Sequence, residues 1–207
     1  DGDYTAGDDN PTSPFGVPTI FYSRQSGQWS NVNTWSLTSH TVDNPPAVVP
    51  GASDIVIIGD NDIVTLATNP ILADQGIQNA ASLKIENGST LDIGFNPGCV
   101  FSMVVSHPNG NGIFRVTTNF NYPVTYVFPS GDFSDFNVNM GTTELYTTNP
   151  AAGSTYYLPE NVSSYGNLII SPLGGSNIIF PNRDITIYGN LITRGQNADS
   201  WFAMSWG

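Results

Sequence analysis

The sequence is poor in cysteine, in positive charge and in helix-forming residues. Among its 207 residues there is one cysteine, Cys99, so an internal disulfide is excluded, and its apolar neighbours predict a buried structural thiol. Five lysines and arginines face 17 aspartates and glutamates, and the net charge of −12 argues against binding to nucleic acid or to an anionic membrane. No run approaches the roughly 20 apolar residues of a membrane span.

Motifs of common enzyme chemistry are also missing from the sequence. It has no Gly-x-Ser-x-Gly elbow, phosphate-binding loop or dinucleotide fingerprint. The histidines, His40 and His107, have no partner at triad or metal spacing. Asp132 and Asp135 form a carboxylate pair of the kind that glycoside hydrolysis requires, but turn formation explains them equally well. The sequence therefore predicts a protein that is not an enzyme and has no organic cofactor.

One short turn could hold a metal ion. The segment Gly59-Asp-Asn-Asp62 reads as a hairpin-like turn between two strands, and Asp60, Asn61 and Asp62 place three oxygen-bearing side chains close together. Such oxygens are the ligands that Ca²⁺ prefers. Turn propensity alone also accounts for these residues, so a surface calcium site and a simple turn both remain open.

What the sequence has in abundance is turn residues between short β-prone runs. No window carries apolar residues at helical spacing without an interrupting glycine or proline. Short runs with strand character occur instead, among them Ile55–Ile58, Ile63–Leu66, Leu83–Ile85 and Leu91–Ile93. The chain is therefore predicted to be all-β.

A repeat indicates how these strands are arranged. Tyr165-Gly-Asn-Leu-Ile-Ile170 returns 23 residues later as Tyr188-Gly-Asn-Leu-Ile-Thr193. Self-similarity at this period, with Gly-Asn corners before short strands, is typical of a β-solenoid. We expect Asn167 to stack on Asn190 as an amide ladder, and Leu168 on Leu191 as a core ladder.

Four tryptophans lie near the two ends of the chain. Trp29 and Trp35 are predicted to plug the N-terminal end of the solenoid as a cap, with an exposed sugar-stacking platform as the alternative. Trp201 and Trp206 are expected to contact a following coil or a partner chain. All four are thus candidate contact residues.

The ends also suggest the organisation of the chain. Residues 1–18, rich in aspartate and proline, predict an extended acidic arm, and residues 19–207 a single β-helical domain. A start at Asp1 favours a mature secreted protein whose signal peptide has been removed. Residues 200–207 are apolar and end within the pattern, whereas a solenoid normally ends in a polar cap, which favours the N-terminal part of a longer polypeptide.

The order of several short motifs resembles that of large secreted surface proteins of gliding Bacteroidetes. The motifs are Gly27-Gln-Trp-Ser30, Thr34-Trp-Ser36, Val49-Pro-Gly-Ala-Ser-Asp-Ile-Val-Ile57 and the run 83–93, continued by Phe128-Pro-Ser-Gly-Asp-Phe-Ser-Asp-Phe136 and Tyr156-Tyr-Leu-Pro159. The resemblance implies a right-handed parallel β-helix, export by the type IX secretion system, and a role in adhesion, gliding motility or a surface filament. It transfers no catalytic residues.

The resulting expectation is a non-enzymatic adhesin or filament module on the cell surface. Its expected partners are further domains of the same polypeptide, surface glycans, or the secretion and motility machinery of the cell envelope, with no nucleic acid and no membrane insertion. The alternative is a β-helix that binds or degrades carbohydrate. A third possibility is an accessory of the secretion apparatus that docks through residues 1–18.

Overall fold

The computed structural model describes most of the chain between residues 17 and 206. The described residues are 17–66, 78–96, 98–106, 110, 112–118, 124–147, 154–172, 176–194 and 202–206. Residues 1–16 of the predicted acidic arm, together with His107 and Trp201, lie outside them. Strands are numbered in chain order.

The chain winds as a parallel β-solenoid, so the predicted fold class is confirmed. The first face is one sheet, in which each strand lies beside its counterpart from the next coil except at the N-terminal edge. Its strands are β1 (Ile20–Ser23), β3 (Trp35–Ser36), β4 (Ile55–Ile58), β6 (Asn79–Ile85), β8 (Val100–Ser106) and β11 (Ser130–Asp132).

The second face is the longest sheet in the described residues, and all of its strands are parallel. Its strands are β2 (Gly27–Gln28), β5 (Ile63–Thr65), β7 (Thr90–Asp92), β9 (Ile113–Thr117), β12 (Thr142–Tyr146), β15 (Asn167–Ser171) and β18 (Leu191–Thr193).

The third face begins later in the chain and is also parallel. Its strands are β10 (Val124–Thr125), β13 (Ser154–Tyr157), β16 (Ser176–Phe180) and β19 (Phe202–Trp206). A separate pair consists of β14 (Ser164–Tyr165) and β17 (Thr186–Ile187). Two short helices complete the described elements: a 3₁₀ turn at Val32–Thr34 and α1 at Ser134–Val138.

The turns join different faces and are solenoid corners. At Gly59–Asp62, the amide of Asp62 donates to the carbonyl of Gly59 over 3.0 Å, and Asp60 and Asn61 have φ of 57° and 64°. Positive φ at both central positions marks a type I′ turn. The predicted tight turn is present, but β4 and β5 belong to different sheets and do not pair. A turn type that is common in hairpins thus joins the first face of the solenoid to the second.

The core is a set of inward ladders that run from coil to coil. In the second face, Val64, Leu91, Phe114, Thr143 and Leu168 occupy successive positions of one register, and all are buried. Burying these side chains removes apolar surface from water, and this stabilises the fold by about 25 cal/mol for each Å² buried. The same register continues to Leu191, as the repeat predicted. Leu191 itself is 41% exposed, since it lies in the edge strand β18.

The N-terminal end of the stack is covered by an antiparallel edge strand. The edge strand β3 runs antiparallel to β1, with Tyr22 opposite Ser36 and Ser23 opposite Trp35. The buried ring of Phe21 packs against Trp35, with centroids 6.4 Å apart. A reversed strand and large aromatic side chains thus cover the first coil.

Candidate functional site

The two N-terminal tryptophans are core residues. Trp29 and Trp35 are fully buried, with ring centroids 5.1 Å apart in an edge-to-face arrangement. The indole Nε1 of Trp35 donates to the carbonyl of Trp29 over 2.8 Å, and that of Trp29 donates to Pro50 O over 3.3 Å. Because no indole face reaches the surface, the prediction that these residues contact a ligand is wrong, and they form the N-terminal cap.

The C-terminal tryptophans are described only in part. Trp206 is the last residue of β19, and its backbone lies in register with Phe180. Trp201 lies outside the described residues. Their predicted role in contacts with a following coil or a partner stays a prediction.

The two repeated asparagines lie on neighbouring coils and touch. The Oδ1 of Asn167 accepts from the backbone amide of Asn190 over 2.9 Å and from its Nδ2 over 3.3 Å. The Nδ2 of Asn167 donates in turn to the carbonyl of Met140, one coil earlier, over 2.7 Å. One side chain thus links the corners of three successive coils. Each such bond contributes roughly 1 kcal/mol in proteins.

The three candidate calcium ligands have different surroundings. Asp60 and Asn61 are exposed, whereas Asp62 is buried and forms a hydrogen bond with Ser23. Burial, and to a lesser extent the neighbouring charge of Asp60, raises the pKa of Asp62 above its usual value. Within the described ranges, no cluster of three or more His, Cys, Asp or Glu side chains could hold a metal ion. The calcium site therefore stays a prediction.

A charged row on the outer surface of the second face escaped the sequence analysis. Asp92, Arg115 and Glu144 occupy adjacent positions on β7, β9 and β12. The Nη1 of Arg115 lies 3.0 Å from Asp92 Oδ2, and its Nε lies 2.8 Å from Glu144 Oε2. The carboxylates are 12% and 15% exposed, so most of this network is shielded from water.

Two further side chains complete the row. The hydroxyl of Tyr146 donates to Asp92 over 2.8 Å, and that of Ser171 donates to Glu144 over 2.9 Å. The guanidinium of Arg115 also lies 4.3 Å from the centre of the Tyr146 ring, which is a cation–π distance. Burial raises the pKa of Asp92 although Arg115 lowers it, and burial likewise raises the pKa of Tyr146.

This geometry favours a structural role for the row. Glycoside hydrolysis needs a protonated and an ionised carboxyl group on opposite sides of a sugar bond, with space between them. Here the side chain of Arg115 occupies the position between Asp92 and Glu144 and binds both. Cross-strand pairs of opposite charge stabilise neighbouring strands. The row therefore ties three coils together.

A second polar cluster surrounds His40, for which the sequence indicated no partner. Its Nδ1 donates to the carbonyl of Ser23, and its Nε2 lies 3.7 Å from Glu86. Lys84, the one lysine of the chain, pairs with the same carboxylate over 2.9 Å. This cluster anchors the loop after β3 to the neighbouring corner.

The carboxylates of Asp132 and Asp135 accept hydrogen bonds from different local donors. Asp132 accepts from the amide of Ser134 over 2.9 Å, and Asp135 accepts from Asn139 over 3.0 Å. Hydrogen bonds from Ser134 lower the pKa of Asp132. Both residues thus shape the turn into α1 and the end of that helix.

Comparisons with known proteins do not assign a family. No protein-family model, curated protein or solved structure matches the chain. The resemblance to surface proteins of gliding Bacteroidetes therefore stays a prediction from the motifs. In the part of the chain that the structure describes, no helix has the length and apolarity to cross a membrane.

Proposed function

We propose that this chain is a non-enzymatic β-solenoid module of a secreted or cell-surface protein, where it acts in attachment or in a filament. The observation that carries the proposal is the asymmetry of the stack. The first coil is covered by β3 and two buried tryptophans, whereas β18 lies at a sheet edge with Leu191 and Ile192 about 40% exposed.

Such an end favours continuation of the stack. Solenoids bury a continuous core only where coils have neighbours on both sides, and their terminal coils usually carry a polar cap. The apolar edge at β18 fits a further coil, which makes additional segments of the same polypeptide the first expected partner. In its most specific form, the proposal includes export by the type IX secretion system and a role in gliding motility. These two points are supported by the resemblance alone.

The decisive experiment is surface labelling. Fab fragments raised against the purified chain should bind intact cells that produce the protein and should reduce their attachment to glass or to neighbouring cells. Labelling that requires permeabilised cells would contradict the proposal. Surface labelling without any effect on attachment would leave a surface protein but remove the adhesive role.

The carbohydrate-degrading alternative has a direct assay. The purified chain should release no reducing ends from a panel of neutral and acidic polysaccharides, because Arg115 occupies the space between the two shielded carboxylates. Release that disappears in Glu144→Gln would overturn the non-enzymatic reading.

A further inference from the structure

The first face of the solenoid is interrupted between two coils. The sheet ends at β11, because β14, the corresponding strand of the next coil, pairs with β17 instead. The residues of β11 are exposed, unlike those of a strand paired on both sides. The chain enters α1 directly after β11, and this helix occupies the region next to β14.

Two asparagine side chains bridge the interruption. The Nδ2 of Asn137, in α1, donates to the carbonyl of Ser164 over 3.0 Å, while its Oδ1 accepts from the amide of Gly166 over 3.3 Å. The Nδ2 of Asn161 lies 3.4 Å from the carbonyl of Phe128. These contacts link the two coils where strand pairing is absent.

The interruption leaves a cleft of about 360 Å³ between the coils. This volume lies within the usual range of small-molecule sites, about 300–1,000 Å³. The aromatic part of the wall is Phe128 and Phe133, whose rings pack with centroids 4.8 Å apart; both are largely buried, and 6% and 9% of their surface is accessible. The polar part includes the hydroxyls of Ser130 and Ser163, the amide of Asn161 and the carboxylate of Asp132.

The chemistry of this wall selects a class of ligand. None of the lining residues that the structure describes is lysine, arginine or histidine, and the chain carries a net charge of −12, so anions are disfavoured. Asp132 is the one carboxylate in the lining, which is too few for a divalent cation with six or more oxygen ligands. Hydroxyl, amide and carboxylate groups beside aromatic rings match a molecule with both hydroxyls and an apolar C–H face.

We propose that this cleft binds a neutral sugar residue, with Asp132 and Asn161 bonding its hydroxyls and Phe128 and Phe133 contacting its apolar face. The Oδ1 of Asn161 has acceptor capacity left for hydroxyl donors, and so has the carboxylate of Asp132, which accepts from the amide and the side chain of Ser134. The inference goes beyond the proposed function, because it can be tested on the purified chain whether or not the protein lies on a cell surface.

The test is saturation-transfer NMR on the purified full chain with methyl glycosides of glucose, galactose, mannose and N-acetylglucosamine. Transfer from at least one of them is expected. Ser163→Trp should abolish it by filling the cleft, and it should fold because Ser163 is exposed. Ser53→Trp is the matched control: Ser53 is also exposed, in the loop before β4, several coils away. This variant should bind like the unmodified chain.

A milder variant keeps the test valid if the tryptophan disturbs folding. Asp132→Asn retains the turn into α1, since asparagine forms the same local hydrogen bond. It should weaken binding by about tenfold, because hydrogen bonds to a charged acceptor exceed neutral ones by about that factor.

Three results would overturn the proposal. One is the absence of transfer from all four glycosides at about 10 mM, beyond the millimolar range of weak sites. Another is equal transfer in the unmodified chain and in Ser163→Trp, which would place the binding elsewhere. The third is tighter binding of methyl glucuronide than of methyl glucoside, since Asp132 should repel the carboxylate.

Discussion

The two ends of the solenoid differ in how they shield the outermost strand and the apolar core from water. At the N-terminal end, a reversed strand covers the sheet edge, and the buried indoles of Trp29 and Trp35 pack edge to face behind it. At the other end, β18 continues the parallel register and exposes Leu191 and Ile192. Closure thus needs both a change of strand direction and large apolar side chains. The parallel repeat alone supplies neither.

The contrast also separates two kinds of coil contact. In the middle of the stack, buried ladders and outward polar pairs act together, as in the row of Asp92, Arg115 and Glu144. At the open end, the polar link from Asn190 to Asn167 persists, while the apolar ladder is half-exposed. In solenoids each coil contributes mainly through its nearest neighbours. Substitutions along the stack should therefore differ in cost according to position.

The largest difference is expected between the two ends themselves. Trp29→Ala removes a fully buried indole and should lower the free energy of unfolding by about 3–5 kcal/mol. Leu191→Ala at the open end should cost less than about 1 kcal/mol, since that side chain is already partly in water. Urea unfolding followed by circular dichroism measures both. Similar losses would remove the distinction between a closed and an open end.

The middle of the stack should respond to loss of its shared cation. Arg115→Met leaves Asp92 and Glu144 as neighbouring shielded carboxylates without a partner charge and should cost about 2 kcal/mol at neutral pH. A gain in stability would show that the row serves another purpose. Thermal unfolding against pH adds a second, independent readout.

The pH dependence follows from the direction of the pKa shift. Burial holds the pKa of Asp92 above its unfolded value, so the folded chain binds that proton more tightly and gains stability as the pH falls through the folded pKa. Loss of Arg115 removes a group that lowers this pKa. The stability deficit of Arg115→Met should therefore shrink between about pH 7 and pH 4.5. A deficit that is constant over this range would contradict the assignment.

One position within the inward ladder should gain from substitution. The hydroxyl of Thr143 is buried and has no hydrogen-bond partner in the described part of the chain, and its ladder neighbours are Phe114 and Leu168. Thr143→Val keeps the shape and removes the polar atom, so stability should rise by about 1 kcal/mol. Differential scanning calorimetry measures the change. Lower stability would reveal a partner for this hydroxyl.

The smallest expected effects lie on the asparagine corner. Asn167→Leu breaks bonds to both neighbouring coils and should cost about 1 kcal/mol in total, because these bonds are exposed and water replaces part of each one that is lost. Asn190→Leu removes one longer contact at the open end and should cost about half as much. Equal melting temperatures for the two variants and the unmodified chain would show that these amides do not contribute. Equal losses would show that the open end is as tightly coupled as the interior.

Much of the fold could be predicted because local patterns report it. The apolar run Ile55–Ile58 and the alternation at Leu83–Ile85 indicated strands, and the repeat of Tyr165–Ile170 at Tyr188–Thr193 predicted the register that places Leu168 beside Leu191. The buried state of Cys99 also followed from its neighbours. Helix α1 was missed, since five residues are too few to display a helical period.

The polar row was beyond sequence reasoning for a different reason. Asp92 and Arg115 are 23 residues apart, whereas Arg115 and Glu144 are 29 apart. Coils of unequal length break any fixed period, so opposite charges meet only once the register is known. A signal was nevertheless present, because each of these residues directly follows an inward ladder residue: Leu91, Phe114 or Thr143. The cleft was equally hidden, since it arises where strand pairing stops.

The parallel register at the open end has a mechanical consequence. When tension is applied there, the turn that carries β18 is loaded first, because in the described residues β18 is paired on one side. A released turn of 23 residues, the spacing from Asn167 to Asn190, adds roughly 80 Å of contour length. Under force, the chain would thus unfold one turn at a time, starting from the end that carries β18.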